Sequence, residues 1–523
     1  MVRFLLVAWS LLAAALPAGA GDRRKGVSST PPPSRDDEPV LVSGSELPEF
    51  AGRLLADLKL YRYDEASASY RPIPFQFDEK LDWTFNPGTE LEFTEKIYDV
   101  FGAEDGRLDA DDELAFMFRD AGRRAPSAIP WPEGAGPVRY ELVAVDTRPG
   151  VQNPERYAYL FEGAGLAESP IRYVSWDRLP TTSILTEVFE LEFADRWLLT
   201  GLRIAPPCGS GGDLIDRAKG RAVPIGDLEV GEDSWNLNSV FLGGITGPVR
   251  AIRYVRGAKS GVNTIHYDLV YRNFWYRRVN LRVHPLEEFR FYFDWLPGSH
   301  TVLYTGAVSA GVPVDGVPDP GVAGTSLDWS VMNSAEGGIG VVYRLAPSPL
   351  YSRAEFHYRD DEAFDDAPAG NPDYDDEDDA SWGAHGVRVL DVEGSNVTPI
   401  PIEMRLYPVC GDEGTPSFGE AIAEMADHPI DVRAGFETID GSAVRSLRVR
   451  RDGSDVVLDW QPLDGASGYR IHVSPDPAAP HADWGTLGET PDARFVDVGA
   501  AADAEGRCYH VVPLLPDGRE GLW

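Results

Sequence analysis

Residues Ile265 to Val283 read IHYDLVYRNFWYRRVNLRV. Tyr267, Leu269 and Tyr271 fall on one side of an extended chain, and His266, Asp268 and Val270 on the other. A strand sends successive side chains to opposite faces, so this period of two predicts half-buried antiparallel strands rather than helix. Val138 to Val145 (VRYELVAV) repeats the pattern, with Tyr140, Leu142 and Ala144 alternating against Arg139, Glu141 and Val143. The chain holds 53 glycines and 42 prolines, spread as in Leu296-Pro297-Gly298, which suits many short strands joined by turns. Helical periodicity is sparse. Its best instance is Pro416 to Ala426, where Ser417 and Glu420 have capping-box spacing and Ala421, Ile422 and Met425 form the expected buried stripe. The predicted fold class is mainly β, an antiparallel β-sandwich body with few short helices.

The same stretch is chemically unusual for this chain. Arg250 to Arg290 holds nine Lys or Arg and three acids, Asp268, Glu287 and Glu288, in a protein whose net charge is −36. Aromatic residues interleave with the cations. If these strands line one concave sheet, Arg253, Arg256, His266, Tyr267, Tyr271, Arg272, Trp275, Tyr276, Arg277 and Arg278 form a cationic aromatic surface. Guanidinium forks pair with uronate carboxylates and aromatic rings stack on sugar faces, so the predicted ligand is an anionic glycan. A uronate lyase needs a base such as Tyr or His and a cation on the carboxylate, and both residue types are present. The competing explanation is structural, since Arg and Tyr on adjacent strands also form cross-strand pairs or meet acids elsewhere in the chain.

Other signatures are absent from the sequence. There is no GxSxG, HExxH, P-loop or dinucleotide fingerprint, and no two histidines lie four apart. The acidic balance disfavours nucleic acid and anionic membranes as partners. Of the three cysteines, Cys208 and Cys410 are the favoured disulfide pair because Cys508 falls in a separate module; three unpaired thiols is the alternative.

Two acidic stretches raise the question of calcium. Asp105 to Glu113 (DGRLDADDE) has the second half of a calcium loop, with Asp105, the Arg107 carbonyl, Asp109 and Asp112 as ligands. The first half is missing, because Phe101 and Ala103 stand where acids belong, and Leu114, Phe116 and Phe118 alternate as in a strand. A hard cation wants six to eight oxygens. The stretch is therefore either a β-loop calcium site completed from elsewhere or an acidic turn. Asp360 to Asp379 carries 11 acids among 20 residues and reads as a solvated surface loop.

The ends complete the organisation. Arg3, the apolar run Phe4 to Leu16 and Ala18-Gly19-Ala20 predict a signal peptide over 1–20, and hence export to the periplasm or beyond. No cysteine follows the cleavage site and no later apolar run is long enough to span a bilayer, so neither a lipid anchor nor a transmembrane segment is expected. Residues 21–38 read as a disordered leader, 39–165 as an N-terminal β domain, 166–440 as a large β-sandwich domain containing the acidic loop 360–379, and 445–523 as a C-terminal module. In that module Trp460, the turn Gly465 to Gly468 entering Tyr469, and Tyr509 with Val511 resemble the core positions of a fibronectin type III domain. The resemblance implies a two-sheet sandwich acting as a spacer or adhesive unit. Met404 to Pro408, a short helix and His428-Pro429-Ile430 together resemble the end of the β-supersandwich in secreted polysaccharide lyases. Ile73 to Glu79 followed by DGRLDADDE resembles a pair that recurs in uncharacterised exported bacterial proteins. The expected function is an exported β protein that binds a cell-surface or extracellular glycan or protein, with calcium as its one candidate cofactor. The alternatives are a uronate-lyase-type enzyme and a structural envelope protein.

Overall fold

A computed structural model describes residues 33–126, 129–177, 182–194, 196–259, 261–297, 301–364, 380–410, 414–438, 447–460, 462, 466–476, 484–502, 506–514 and 520. The fold is mainly β, with antiparallel sheets and, among the described residues, two α-helices, Glu232–Leu237 and Pro416–Asp427. The expected signal peptide lies outside the described residues, and so does most of the acidic run, from 365 to 379.

The quoted stretch supplies two neighbouring strands, Ile265–Val270 and Trp275–Leu281, at the middle of a nine-stranded sheet. Its order is Val240–Thr246, Ala251–Arg256, Ile265–Val270, Trp275–Leu281, Ile400–Val409, Gly338–Leu345, Trp329–Asn333, Thr301–Thr305 and Val312–Val314. A four-stranded sheet of Ile215–Pro224, Leu286–Trp295, Ser381–Val392 and Arg353–Asp361 packs on one face. Phe289, Phe291, Phe293 and Trp295 alternate inward from it, and ring contacts such as Trp275–Phe293 at 6.1 Å close the shared core. Cys208 and Cys410 are joined by a disulfide across 202 residues, while Cys508 is free.

The N-terminal sheets dock on the other side through a buried charge cluster. Phe75–Asp78 and Glu113–Met117 are neighbours in a three-stranded sheet, which explains why the two sequence motifs occur together. Gln76 accepts the Val249 and Arg250 amides through its side-chain oxygen, and a Cβ on Gly247 would lie 1.8 Å from that oxygen, so only glycine fits there. The Arg250 guanidinium, fully buried, meets Asp78 at 2.6 Å and Glu113 at 2.7 Å.

Several expectations change. The boundary near 165 does not separate two independent sheets. Asp431–Thr438 returns to pair along Val138–Val145, from Asp431 opposite Val145 to Thr438 opposite Val138. The end of the expected leader is ordered: Arg35 is buried and bonded to Glu38, Asp146 and the carbonyls of Met425 and His428. In Val138–Val145 the second face is also covered, because Tyr70, Trp131, Tyr159 and Phe161 surround the Arg139 guanidinium. The helix Pro416–Asp427 is preceded by Thr415 as its cap residue, without a side-chain cap bond, and buries Phe418, Ile422, Ala423 and Met425, whereas Ala421 is only half-buried. Asp360, expected in a solvated loop, ends a strand and accepts the Asp315, Gly316 and Gly383 amides.

The C-terminal residues form two three-stranded sheets, Arg448–Asp452, Asp455–Asp459 and Arg494–Asp497, and Gly485–Thr490, Gly468–Ser474 and Cys508–Leu514. Leu458, Trp460, Tyr469, Ile471 and Val511 fill the core between them, and Tyr509 packs at its margin.

Candidate functional site

The two-residue period sorts the ten predicted glycan residues onto opposite faces of the nine-stranded sheet. Arg253, His266, Trp275 and Arg277 point into the sandwich and are buried. Arg277 Nε lies 3.2 Å from Asp268, the Trp275 indole donates to the same carboxylate at 2.9 Å, and Arg253 lies 3.8 Å from it. The His266 ring stacks on Trp197 at 5.8 Å. Burial, followed by the Arg277 and Arg253 charges, pushes its pKa down to about 3, so it is neutral. These four side chains are structural, since a polysaccharide cannot reach them without opening the core.

Tyr271 and Arg272 lie on the opposite side but are also buried. The Tyr271 hydroxyl accepts from Arg250 at 2.8 Å, and Arg272 pairs with Glu187 and with Asp37. Arg272, Arg277, Tyr271 and His266 therefore do not converge in a cleft. Arg256 donates to the Val262 carbonyl at 3.2 Å and to Asn86 and Asn263, which ties it to the turn beside its strand.

Tyr267, Tyr276 and Arg278 are brought together, half-exposed, on that same face. Strand register places Tyr254, Tyr267, Arg278, Glu403 and Arg344 in one row, and Leu269, Tyr276, Arg405 and Val342 in the next. Tyr254 stacks on Tyr267 at 5.0 Å, and Tyr267 lies 6.1 Å from Tyr276. The Arg278 and Glu403 side chains, 31% and 32% exposed, pair at 3.0 Å. Burial holds both hydroxyls above their ordinary range, aided by the neighbouring tyrosines at Tyr267 and by the Glu403 charge at Tyr276, so both stay protonated donors.

Two elements pack along this strip, and we treat the space between them as a shallow trough. The hairpin Lys80–Phe85 and Phe93–Tyr98 forms one wall, where Glu95 meets Arg282 at 2.7 Å and accepts from Asn280. The helix Pro416–Asp427 forms the other: Phe418 and Ile422 pack over Gly340, and Asp427 pairs with Arg344 at 2.7 Å. At one end Glu38 accepts the Tyr407 hydroxyl at 2.8 Å. No protein-family model matches the chain, and no curated protein matches it. The trough must therefore be read from its own chemistry.

Arg405 was missed from the sequence because it lies well over a hundred residues downstream of the cationic stretch. Its only local signal is the alternation of Glu403, Arg405 and Tyr407 against Met404 and Leu406.

The acidic turn uses its carboxylates internally. Asp112 accepts the Asp109 amide at 2.7 Å and the Lys80 amide at 3.3 Å, Asp105 accepts the Arg107 amide at 3.0 Å, and Glu79 accepts the Gly106 amide at 2.7 Å. The Arg107 side chain donates to the Gly52 carbonyl, and the Asp109 carbonyl accepts the Asp112 amide. Among the described residues no three His, Cys, Asp or Glu side chains group so as to hold a metal ion. No helix among them is long and apolar enough to cross a membrane.

Proposed function

We propose that the protein is an exported multidomain β protein that binds a cell-surface or extracellular glycan along the trough floored by Tyr267, Tyr276 and Arg278. The observation that carries this reading is the tyrosine ladder, whose last two rings are half-exposed on a polar sheet face between two walls. Tyrosine offers an apolar face to a sugar ring and a hydroxyl to its polar edge. Arg278 and Glu403 add donors and acceptors beside it. The C-terminal sandwich fits a fibronectin type III-like spacer, and export follows from the Arg3 to Ala20 pattern.

A glycan array probed with the full mature chain tests the reading. Retention on at least one glycan class is expected, and Tyr276→Ala is expected to weaken it about tenfold, the loss of roughly 1.4 kcal/mol. Absence of retention on every glycan, or full retention by a folded Tyr267→Ala/Tyr276→Ala double variant, removes the trough as the site.

A further inference from the structure

We infer that the trough takes an anionic sugar, whose carboxylate or sulfate oxyanion pairs with Arg405 while its apolar ring face lies on Tyr276. The inference rests on the glycan reading above and names its ligand class. It begins with an inventory of the cations at the floor and walls. Arg278 is committed to Glu403 at 3.0 Å. Arg344 is committed to Asp328 at 3.0 Å and Asp427 at 2.7 Å, and Arg282 to Glu95 at 2.7 Å. Arg405 differs. Among the described residues no carboxylate lies within ion-pairing distance of it; Tyr407 acts on it most strongly, through charge and a side-chain hydrogen bond, followed by Glu38 and Tyr276. Glu38 is already committed, pairing with Arg35 and accepting the Tyr407 hydroxyl.

A guanidinium without a carboxylate partner is notable in this chain, where 84 acids face 48 Lys and Arg. Most arginines of the sandwich have found a carboxylate, yet this one, half-buried on a sheet face, has not. Burial alone would lower its pKa, and the neighbouring tyrosines and Glu38 more than restore it, so the charge is fixed. A guanidinium holds an oxyanion through two parallel N–H donors, which favours carboxylate and sulfate over neutral hydroxyls.

Position supplies the second half of the inference. Arg405 stands directly across the strands from Tyr276. Adjacent strands are about 4.8 Å apart, so one sugar unit can reach both groups. On the far side of Arg405 the register partner is Val342, which is buried and offers no competing acceptor.

The test uses the mature full-length chain and four polymers: a linear polyuronate, the same polymer after carboxyl reduction, dextran sulfate and dextran. Wild type is expected to bind the polyuronate, the dextran sulfate or both, at least tenfold tighter than the two neutral polymers. Binding to the polyuronate alone assigns the oxyanion to carboxylate, and binding to dextran sulfate alone assigns it to sulfate. Arg405→Gln is expected to lose at least tenfold in affinity, with Arg405→Lys retaining part of it. Equal binding of the neutral polymers overturns the anionic inference and leaves the glycan reading standing, and so does unchanged affinity of a folded Arg405→Gln. The comparison of polymers on wild type decides the matter even if the variant misfolds. Binding to none of the four and to no other glycan takes down both readings.

Discussion

Arg250 shows how a single residue can join two parts of this molecule. Its guanidinium is buried with Asp78 and Glu113 and also donates to the Tyr271 hydroxyl at 2.8 Å. The Arg250 and Lys80 charges overcome the effect of burial and hold Glu113 down at a pKa of about 2. Arg250→Ala would strand two carboxylates, so a loss of about 3–5 kcal/mol is expected in denaturant unfolding. A loss below 1 kcal/mol would mean that the N-terminal sheets dock by other means. His266 is one of the buried histidines, with His357, that limit stability in acid. Its pKa falls from 6.5 unfolded to about 3 folded, so stability is whole above pH 6.5 and declines below it, by about 1.4 kcal/mol per pH unit for a fully buried imidazole. His385, at about 4, acts in the same direction. Asp37 and Asp120 are raised mainly by burial to about 6, so each favours the folded state as pH falls from 6 towards 3.8 and opposes the histidines there. Acid unfolding is thus expected to steepen below about pH 4, where the aspartates no longer compensate. His266→Phe, which retains a ring against Trp197, should move the midpoint of tryptophan-monitored acid unfolding to lower pH; an unmoved midpoint would show that His266 does not titrate on unfolding.

At the scale of elements, alternation in Ile265–Val283 told which side chains share a face, and the strands formed as that period required. What alternation could not tell is which face is covered. The cover of the His266 face comes from Trp197 and the four-stranded sheet of Ile215–Pro224, Leu286–Trp295, Ser381–Val392 and Arg353–Asp361, which lie outside the quoted stretch, so His266 and Tyr267 were pooled in one predicted surface although one is core and the other trough. The expected boundary failed for the same reason, since the strand Asp431–Thr438 returns from beyond the sandwich to Val138–Val145. A chain ended after residue 446 should retain the melting temperature of the body. One ended after residue 430 should melt lower and aggregate, because it exposes the edge of Val138–Val145 and removes the Phe436–Tyr140 ring contact. Equal melting of the two would make the returning strand dispensable. The turn Asp105–Asp112 is legible as acidic, but its hydrogen bonds are not. Because its carboxylates hold backbone amides, millimolar calcium is expected to leave the melting temperature unchanged, and a rise would show that the turn re-forms around the ion.

For the whole molecule, the net charge of −36 and the local surplus at Arg405 act over different distances. A polyanionic glycan approaching this chain meets repulsion that reaches about 30 Å at 0.01 M salt and about 10 Å at 0.1 M. Only at contact does the Arg405 guanidinium outweigh that field, because a half-buried pair is screened less than distant surface charges. Association and dissociation should therefore respond to salt with different signs. Raising salt from 0.01 to 0.1 M should increase the association rate constant for a linear polyuronate, as the long-range repulsion is screened. The dissociation rate should rise modestly over the same range as the contact pair weakens, and it should lose that sensitivity in Arg405→Gln. Ordinary electrostatic steering towards a cationic surface predicts the reverse for association, a rate that falls as salt is added. Stopped-flow or surface-binding kinetics across that range separate the two. A monotonic fall in the association rate would place the ligand on a basic surface other than this trough.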